Sequence, residues 1–148
     1  MRKLTIKRTK SFVACMGRMK IYLEDRVTGD TTINGIPCKK IGDLGNGEER
    51  TFEIDEQAAK VIVIADSLSK NYCSELYELP EGNEDIVLTG KNRFNPITGN
   101  AFRFDNNESE AAKENRKRGI GRGVGVFIAS IVVGIAVGVL VAVMFILL

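Results

Sequence analysis

Val124–Leu148 reads VGVFIASIVVGIAVGVLVAVMFILL, 25 consecutive residues without an ionisable side chain. As a helix rising about 1.5 Å per residue it would extend roughly 37 Å, more than the hydrocarbon core of a bilayer at about 30 Å. The apolar run of a helix buried in a soluble core normally stops at about 10–14 residues. The segment therefore predicts one transmembrane helix over residues 123–148. Its many Val and Ile residues do not argue for a strand, because a chain in lipid must satisfy its own backbone hydrogen bonds.

Working outward, charge divides the chain sharply. All 21 Lys/Arg residues lie at or before Arg122 and all 19 Asp/Glu residues at or before Glu114, which excludes a simple soluble enzyme. Immediately before the span, Lys113, Arg116, Lys117, Arg118 and Arg122 face a single Glu114. Positive charge stays on the cytoplasmic side, so this basic juxtamembrane set predicts a single-pass protein with a cytoplasmic N-terminal domain and the C-terminus across the bilayer. With the sequence closing at Leu148, the expectation is a tail anchor. The first residues, MRKLTIKRTK, interrupt every short apolar stretch with charge and do not read as a signal peptide.

Within the span, Ser130, Gly134, Gly138 and Ala142 recur every fourth residue, and Gly121, Gly125 and Ala129 form a second series. Residues four apart share a helix face, and small ones let two backbones approach. Homodimerisation through the helix, or pairing with a partner's helix, is one reading. The other is that glycine is simply common in membrane helices.

Residues 1–105 break into short alternating runs separated by turn residues, the pattern of an all-β sandwich rather than of βαβ units. Leu4-Thr-Ile-Lys and Met19-Lys-Ile-Tyr-Leu alternate with period two. Thr31-Thr-Ile leads through Asn34-Gly-Ile-Pro into Lys39-Lys-Ile-Gly-Asp-Leu, where Pro37 favours a turn or an edge. Arg50-Thr-Phe-Glu-Ile alternates again, Lys60-Val-Ile-Val-Ile-Ala is apolar on both faces and predicts a central strand, and Asp85-Ile-Val-Leu-Thr and Ala101-Phe-Arg-Phe follow. The expected fold is mainly β, an Ig-like sandwich of about seven or eight strands plus one C-terminal transmembrane helix. Ser67–Leu79 fits either a short helix or an irregular strand. NNESEAAKENRKR, residues 106–118, has no large apolar side chain, so residues 106–122 are expected to be a polar, basic juxtamembrane linker, or a short solvated helix feeding the span, that does not pack against the domain.

The stretch Ile33–Ile54, INGIPCKKIGDLGNGEERTFEI, followed by Lys60-Val-Ile-Val-Ile, resembles the small β-sandwich repeats of the PEGA and related surface-lipoprotein domains. Those domains place an I-N-G strand, a G-x-L-x-N-G turn, an F-x-I strand and a closing apolar strand in this order. Where they carry Pro-Gly before the closing strand, this sequence has Asp55-Glu56-Gln57-Ala58-Ala59. The resemblance implies an Ig-like sandwich with an accessory, binding-type role.

Catalytic chemistry has few candidates. There is no His and no Trp, which removes the commonest general base. Cys15, Cys38 and Cys73 form no CxxC pair and read as reduced thiols rather than as zinc ligands or nucleophiles. Glu48-Glu49 and Asp55-Glu56 sit beside turns as solvated charge. Gly42-Asp-Leu-Gly-Asn-Gly lacks the Lys-Ser/Thr of a phosphate loop. No catalytic residue, metal site or cofactor is expected.

The N-terminus carries a different signal. Residues 1–23 contain seven basic side chains and no acidic one, whereas residues 24–112 contain nine basic and eighteen acidic. If Leu4, Ile6, Met19 and Ile21 point inward, alternation turns Lys3, Lys7, Arg18 and Lys20 outward. Paired as a hairpin, the two strands would present one basic face to an anionic leaflet, each charge adding about 1 kcal/mol close to the surface. A solvated sheet face with protective edge charges is the plainer reading. Nucleic acid is not the expected partner, since no recognised motif interleaves aromatics with these charges. The expected function is a tail-anchored adaptor, or accessory subunit of a membrane complex, that contacts the lipid bilayer and a protein partner. The alternative is a membrane-surface or nucleic-acid tether acting through the basic N-terminal hairpin.

Overall fold

Alternation along Arg2–Arg8 (β1) is strict: Arg2, Leu4, Ile6 and Arg8 are buried while Lys3 and Lys7 are exposed. The computed structural model describes residues 1–13, 16–56, 58–64, 73–95 and 99–147. The elements that follow β1 are β2 (Met19–Glu24), β3 (Thr31–Ile33), β4 (Ile36–Leu44), β5 (Glu49–Ile54), β6 (Lys60–Ile64), β7 (Glu75–Glu78), β8 (Ile86–Asn95), β9 (Gly99–Phe104) and α1 (Glu110–Leu147). They form a four-stranded sheet in the order β5-β1-β8-β9 and a five-stranded sheet in the order β3-β4-β2-β6-β7. Only the β1–β8 pair among these is parallel; the chain is mainly β with one long C-terminal helix.

The two sheets enclose one apolar cluster. Leu4 and Ile6 from β1, Met19, Ile21 and Leu23 from β2, Val61 and Val63 from β6 and Phe102 and Phe104 from β9 meet there, and the rings of Phe102 and Phe104 pack edge to face at 5.0 Å. A second cluster lies on the other face of the five-stranded sheet, where Ile33, Cys38, Ile62, Ile64, Cys73 and Leu76 pack with Tyr22, Ile36 and Ala111 of α1. β6 is therefore buried on both faces, as its unbroken apolar run requires. β3 and β4 are joined through Asn34 (φ 52°) and Gly35 (φ 81°), the positive pair of a two-residue type I′ turn. Pro37 falls inside β4 opposite Thr32, one pair beyond Ile33–Ile36 that flanks the turn. Hydrogen-bonded and open pairs alternate, so its missing N–H lies on the side away from β3.

β1 and β2 do not form a hairpin. They belong to different sheets, so the expected basic N-terminal face is corrected. Lys3 and Lys7 lie on the outer face of the four-stranded sheet, opposite Glu53 and Glu49 of β5, with Lys7 Nζ 3.6 Å from Glu49 Oε2. Lys20 alternates with Met19 and Ile21 and so belongs to the helix-covered side of the five-stranded sheet, opposite Asp43. Arg18, before β2, pairs with Glu48 at 3.3 Å. The four side chains are dispersed, and each stands opposite or beside a carboxylate.

The expectation that residues 106–122 stay solvated and unpacked, as a linker or a short helix, is also corrected. Asn107, Ala112 and Asn115 are buried, and α1 runs without interruption from Glu110 to Leu147. Ser109 caps it, its Oγ accepting the Ala112 N–H at 3.2 Å. Ser109→Ala is expected to cost about 1 kcal/mol, read as a lowered midpoint in thermal unfolding followed by circular dichroism. α1 is long and apolar enough to cross a membrane, by length and composition. Along it Val126, Phe127, Ile135 and Leu140 are exposed.

Candidate functional site at the sandwich–helix joint

The first turns of α1 are fastened to β7 by polar side chains. Glu75 opens β7 with no exposed surface, and Arg116 grips it through two hydrogen bonds, Nη2 to Oε1 at 2.6 Å and Nε to Oε2 at 3.3 Å. Asn107 Nδ2 donates to the same Oε1 at 2.7 Å and to the Leu76 carbonyl at 2.7 Å, while Arg116 Nη2 returns to the Asn107 carbonyl at 2.9 Å. Beside Arg116 in the same joint, Asn115 Nδ2 donates to the Cys73 carbonyl at 3.2 Å, and its Oδ1 accepts from Asn34 Nδ2 at 2.9 Å. The β3–β4 turn, the start of β7 and α1 are thereby tied at one point. Ala111 and Ala112 let the helix approach closely enough for these bonds.

Burial raises the Glu75 carboxyl above its ordinary value, opposed by the Arg116 guanidinium and the Asn107 amide. A carboxyl whose folded pKa is raised contributes stability fully present below its unfolded value and lost as pH rises through the folded one. The stability of the wild type relative to Glu75→Gln is therefore expected to increase as pH falls from neutral toward about 4.5, the unfolded glutamate range. Paired denaturation curves at several pH values measure it; an advantage that shrinks on acidification contradicts it. Burial also pushes the Cys73 thiol up to about 12 and the Cys38 thiol up to about 11, so both are protonated and unreactive at neutral pH. Cys15 lies outside the described residues.

A cleft of about 190 Å³ opens beside the joint, lined by Asn34, Ile36, Lys60, Leu76, Glu114 and Arg118 among others. It offers amide, ammonium and guanidinium groups but no nucleophile beside a base. Among the described residues no three His, Cys, Asp or Glu side chains converge to hold a metal ion.

The basic residues expected to mark the membrane edge divide in role. Arg116 turns inward to Glu75, Arg118 pairs with Glu114 at 2.7 Å, and Lys117 is exposed. Of the small helix residues, Ser130 Oγ bonds the Val126 carbonyl at 2.9 Å, and a Cβ placed on Gly134 or Gly138 would meet no atom within 4 Å. Arg122 and Ala142 lie on α1 at positions whose side-chain surroundings are outside the described set. Asn107 and Asn115 carry no hydropathy signal; the cue for them is two of the three asparagines, spaced eight apart, in a segment otherwise made of charge, one serine and alanine. No family model matches the chain, and no curated protein or solved structure matches it.

Proposed function

We propose that this chain is a membrane-anchored adaptor or accessory subunit: α1 crosses the bilayer and holds the sandwich at a fixed attitude on the cytoplasmic side, where it meets a protein partner. The joint carries this reading, because a flexible tether needs no buried ion pair, whereas α1 continues from the Glu75–Arg116 bond into the apolar run as one helix. The excess of Lys and Arg before the run supports the cytoplasmic assignment. Membrane attachment raises the effective concentration of the sandwich toward a partner held in the same bilayer. The open backbone at Gly134 and Gly138 suits a second contact with a partner's helix. The likeness of Ile33–Ile54 to PEGA-type repeats agrees with a binding role.

Affinity purification of the full-length chain in mild detergent tests this, against a chain stopped at Arg118 and one carrying Gly134→Leu with Gly138→Leu. The expected result is a specific membrane protein recovered with the full-length chain and reduced with the other two. Equal recovery with all three contradicts the helix contact, and no specific protein with any of them contradicts the adaptor reading.

A further inference from the structure

Lys60 opens β6 opposite Glu78 of β7, and the next residue, Val61, lies between Tyr77 and Leu23. At the same end of the five-stranded sheet β2 closes with Glu24 opposite Cys38, and the β3–β4 hairpin runs on through Ile36 to its turn at Asn34 and Gly35. The early turns of α1 reach this end. Asn115 Oδ1 accepts the Asn34 amide at 2.9 Å, and three residues later Arg118 shares with Lys60, Asn34 and Ile36 the walls of the cleft of about 190 Å³.

Buried Leu76 lines the cleft from the core, while exposed Arg118 and Glu114 line it from the solvent side. Its charges are mixed. Arg118 Nη2 donates to Glu114 Oε1 at 2.7 Å, which uses one of the five N–H groups of the guanidinium. Lys60 Nζ stands 4.0 Å from Glu78 Oε1, beyond hydrogen-bonding distance. Glu24, one strand over from Lys60, is bonded to Arg26 at 3.0 Å. The Arg118 and Lys60 pairs are both open to solvent and therefore weakly held, so either cation can turn to a ligand. Arg118 also lies six residues before Val124, about 9 Å along the helix. The headgroup layer of a bilayer is roughly 5–8 Å deep on each side, and the long stems of Arg and Lys carry their charges across such a gap.

We infer that the cleft binds the headgroup of a zwitterionic, amine-bearing phospholipid of the phosphatidylethanolamine class, with the phosphodiester between Lys60 and Arg118 and the ammonium on Glu114. This rests on the membrane-spanning reading of α1. Arg118 supplies a planar fork and Lys60 a point charge, the two ways in which side chains hold phosphate. As Arg118 turns to the phosphate, Glu114 loses its partner, and the ammonium of the lipid replaces it. A headgroup with no amine would bring its phosphate against Glu114 and Glu78 with nothing to neutralise them. A choline has no N–H to donate. The acyl chains would lie along the exposed apolar surface of α1, which a soluble phosphoamine cannot use.

The full-length chain is reconstituted into vesicles of equal parts phosphatidylethanolamine, phosphatidylglycerol and phosphatidylcholine, washed with alkaline carbonate and extracted in mild detergent. Native mass spectrometry then identifies the lipid it retains. One phosphatidylethanolamine per chain is expected, enriched about tenfold over each of the others, the ratio that one charge-assisted hydrogen bond gives. Lys60→Met with Arg118→Met should abolish the enrichment, and Glu114→Lys should shift it to phosphatidylglycerol. All three side chains are partly open to solvent, and circular dichroism checks that the variants keep the fold. No enrichment in the wild type, or enrichment unchanged in the double variant, overturns the site. Preference of the wild type for phosphatidylglycerol overturns the zwitterionic assignment. Glycerophosphoethanolamine, the same headgroup without acyl chains, should leave the bound lipid in place when added at the concentration of the lipid; displacement overturns the lipid as occupant. Release of the chain from the vesicles by carbonate overturns the spanning reading, and this inference with it.

Discussion

Arg116→Ala should destabilise the sandwich by about 3–5 kcal/mol, because it leaves the Glu75 carboxylate buried without its counter-charge. Glu75 has no exposed side-chain surface and Arg116 is largely covered, so solvent screens the pair weakly. Asn107 would remain as a neutral donor to Glu75 Oε1, which softens the loss without replacing the charge. Removing both partners together is a different experiment. Glu75→Leu with Arg116→Met should recover most of the stability, since an apolar pair of similar volume often equals or exceeds a buried ion pair. Urea unfolding of the detergent-solubilised chain measures both variants. A single variant within about 0.5 kcal/mol of wild type, the range of ordinary surface substitutions, contradicts the joint as described.

Gly90→Val is expected to cost about 3 kcal/mol, the upper end of the overpacking range. A Cβ on Gly90 would lie 2.5 Å from the Arg103 carbonyl oxygen and 2.5 Å from Phe102 Cζ. One of these atoms belongs to the backbone of the paired strand, so the β8–β9 ladder itself must shift. Phe102 has no exposed surface and belongs to the core between the sheets, so its ring has little room to yield. Combining Gly90→Val with Phe102→Leu should return only part of the loss, because the carbonyl clash persists. Thermal unfolding of the single and double variants separates the two contributions; full rescue by the smaller side chain would place the whole cost on the ring.

The strands were legible where one periodicity was unopposed. Leu4 and Ile6 and Arg50–Ile54 alternate because one face meets the other sheet and one meets water, Met19 and Ile21 alternate with the more polar Lys20 and Tyr22 of the helix-covered face, and residues 61–64 are apolar throughout because α1 covers their second face. What covers that face was not legible. NNESEAAKENRKR contains nothing larger than alanine to bury as hydrocarbon, and it docks through amides, one guanidinium and close backbone approach, a signal hydropathy does not register. Arg2 and Arg8 are a related case. Their parity with Leu4 and Ile6 points them inward, yet charge suggests solvent. Each is buried with its guanidinium donating to loop carbonyls, Arg2 to Pro80 at 2.6 Å and Gly82 at 2.8 Å, Arg8 to Gly17 at 2.7 Å. Pairing across sheets was the other gap. β1 and β2 adjoin in sequence, which suggests one face for Lys3, Lys7, Arg18 and Lys20, but the two strands lie in different sheets, a crossing that alternation within each strand does not register.

Hydrogen exchange on the full-length chain in lipid nanodiscs tests the continuity of sandwich, joint and span most directly. Backbone amides from Ala112 through Arg122 should exchange as slowly as those of the β6 core, and the run from Val124 onward more slowly still. Rapid, unprotected exchange across Ala112–Arg122 would mean that the sandwich hangs on a loose tether, and the rigid joint would be refuted.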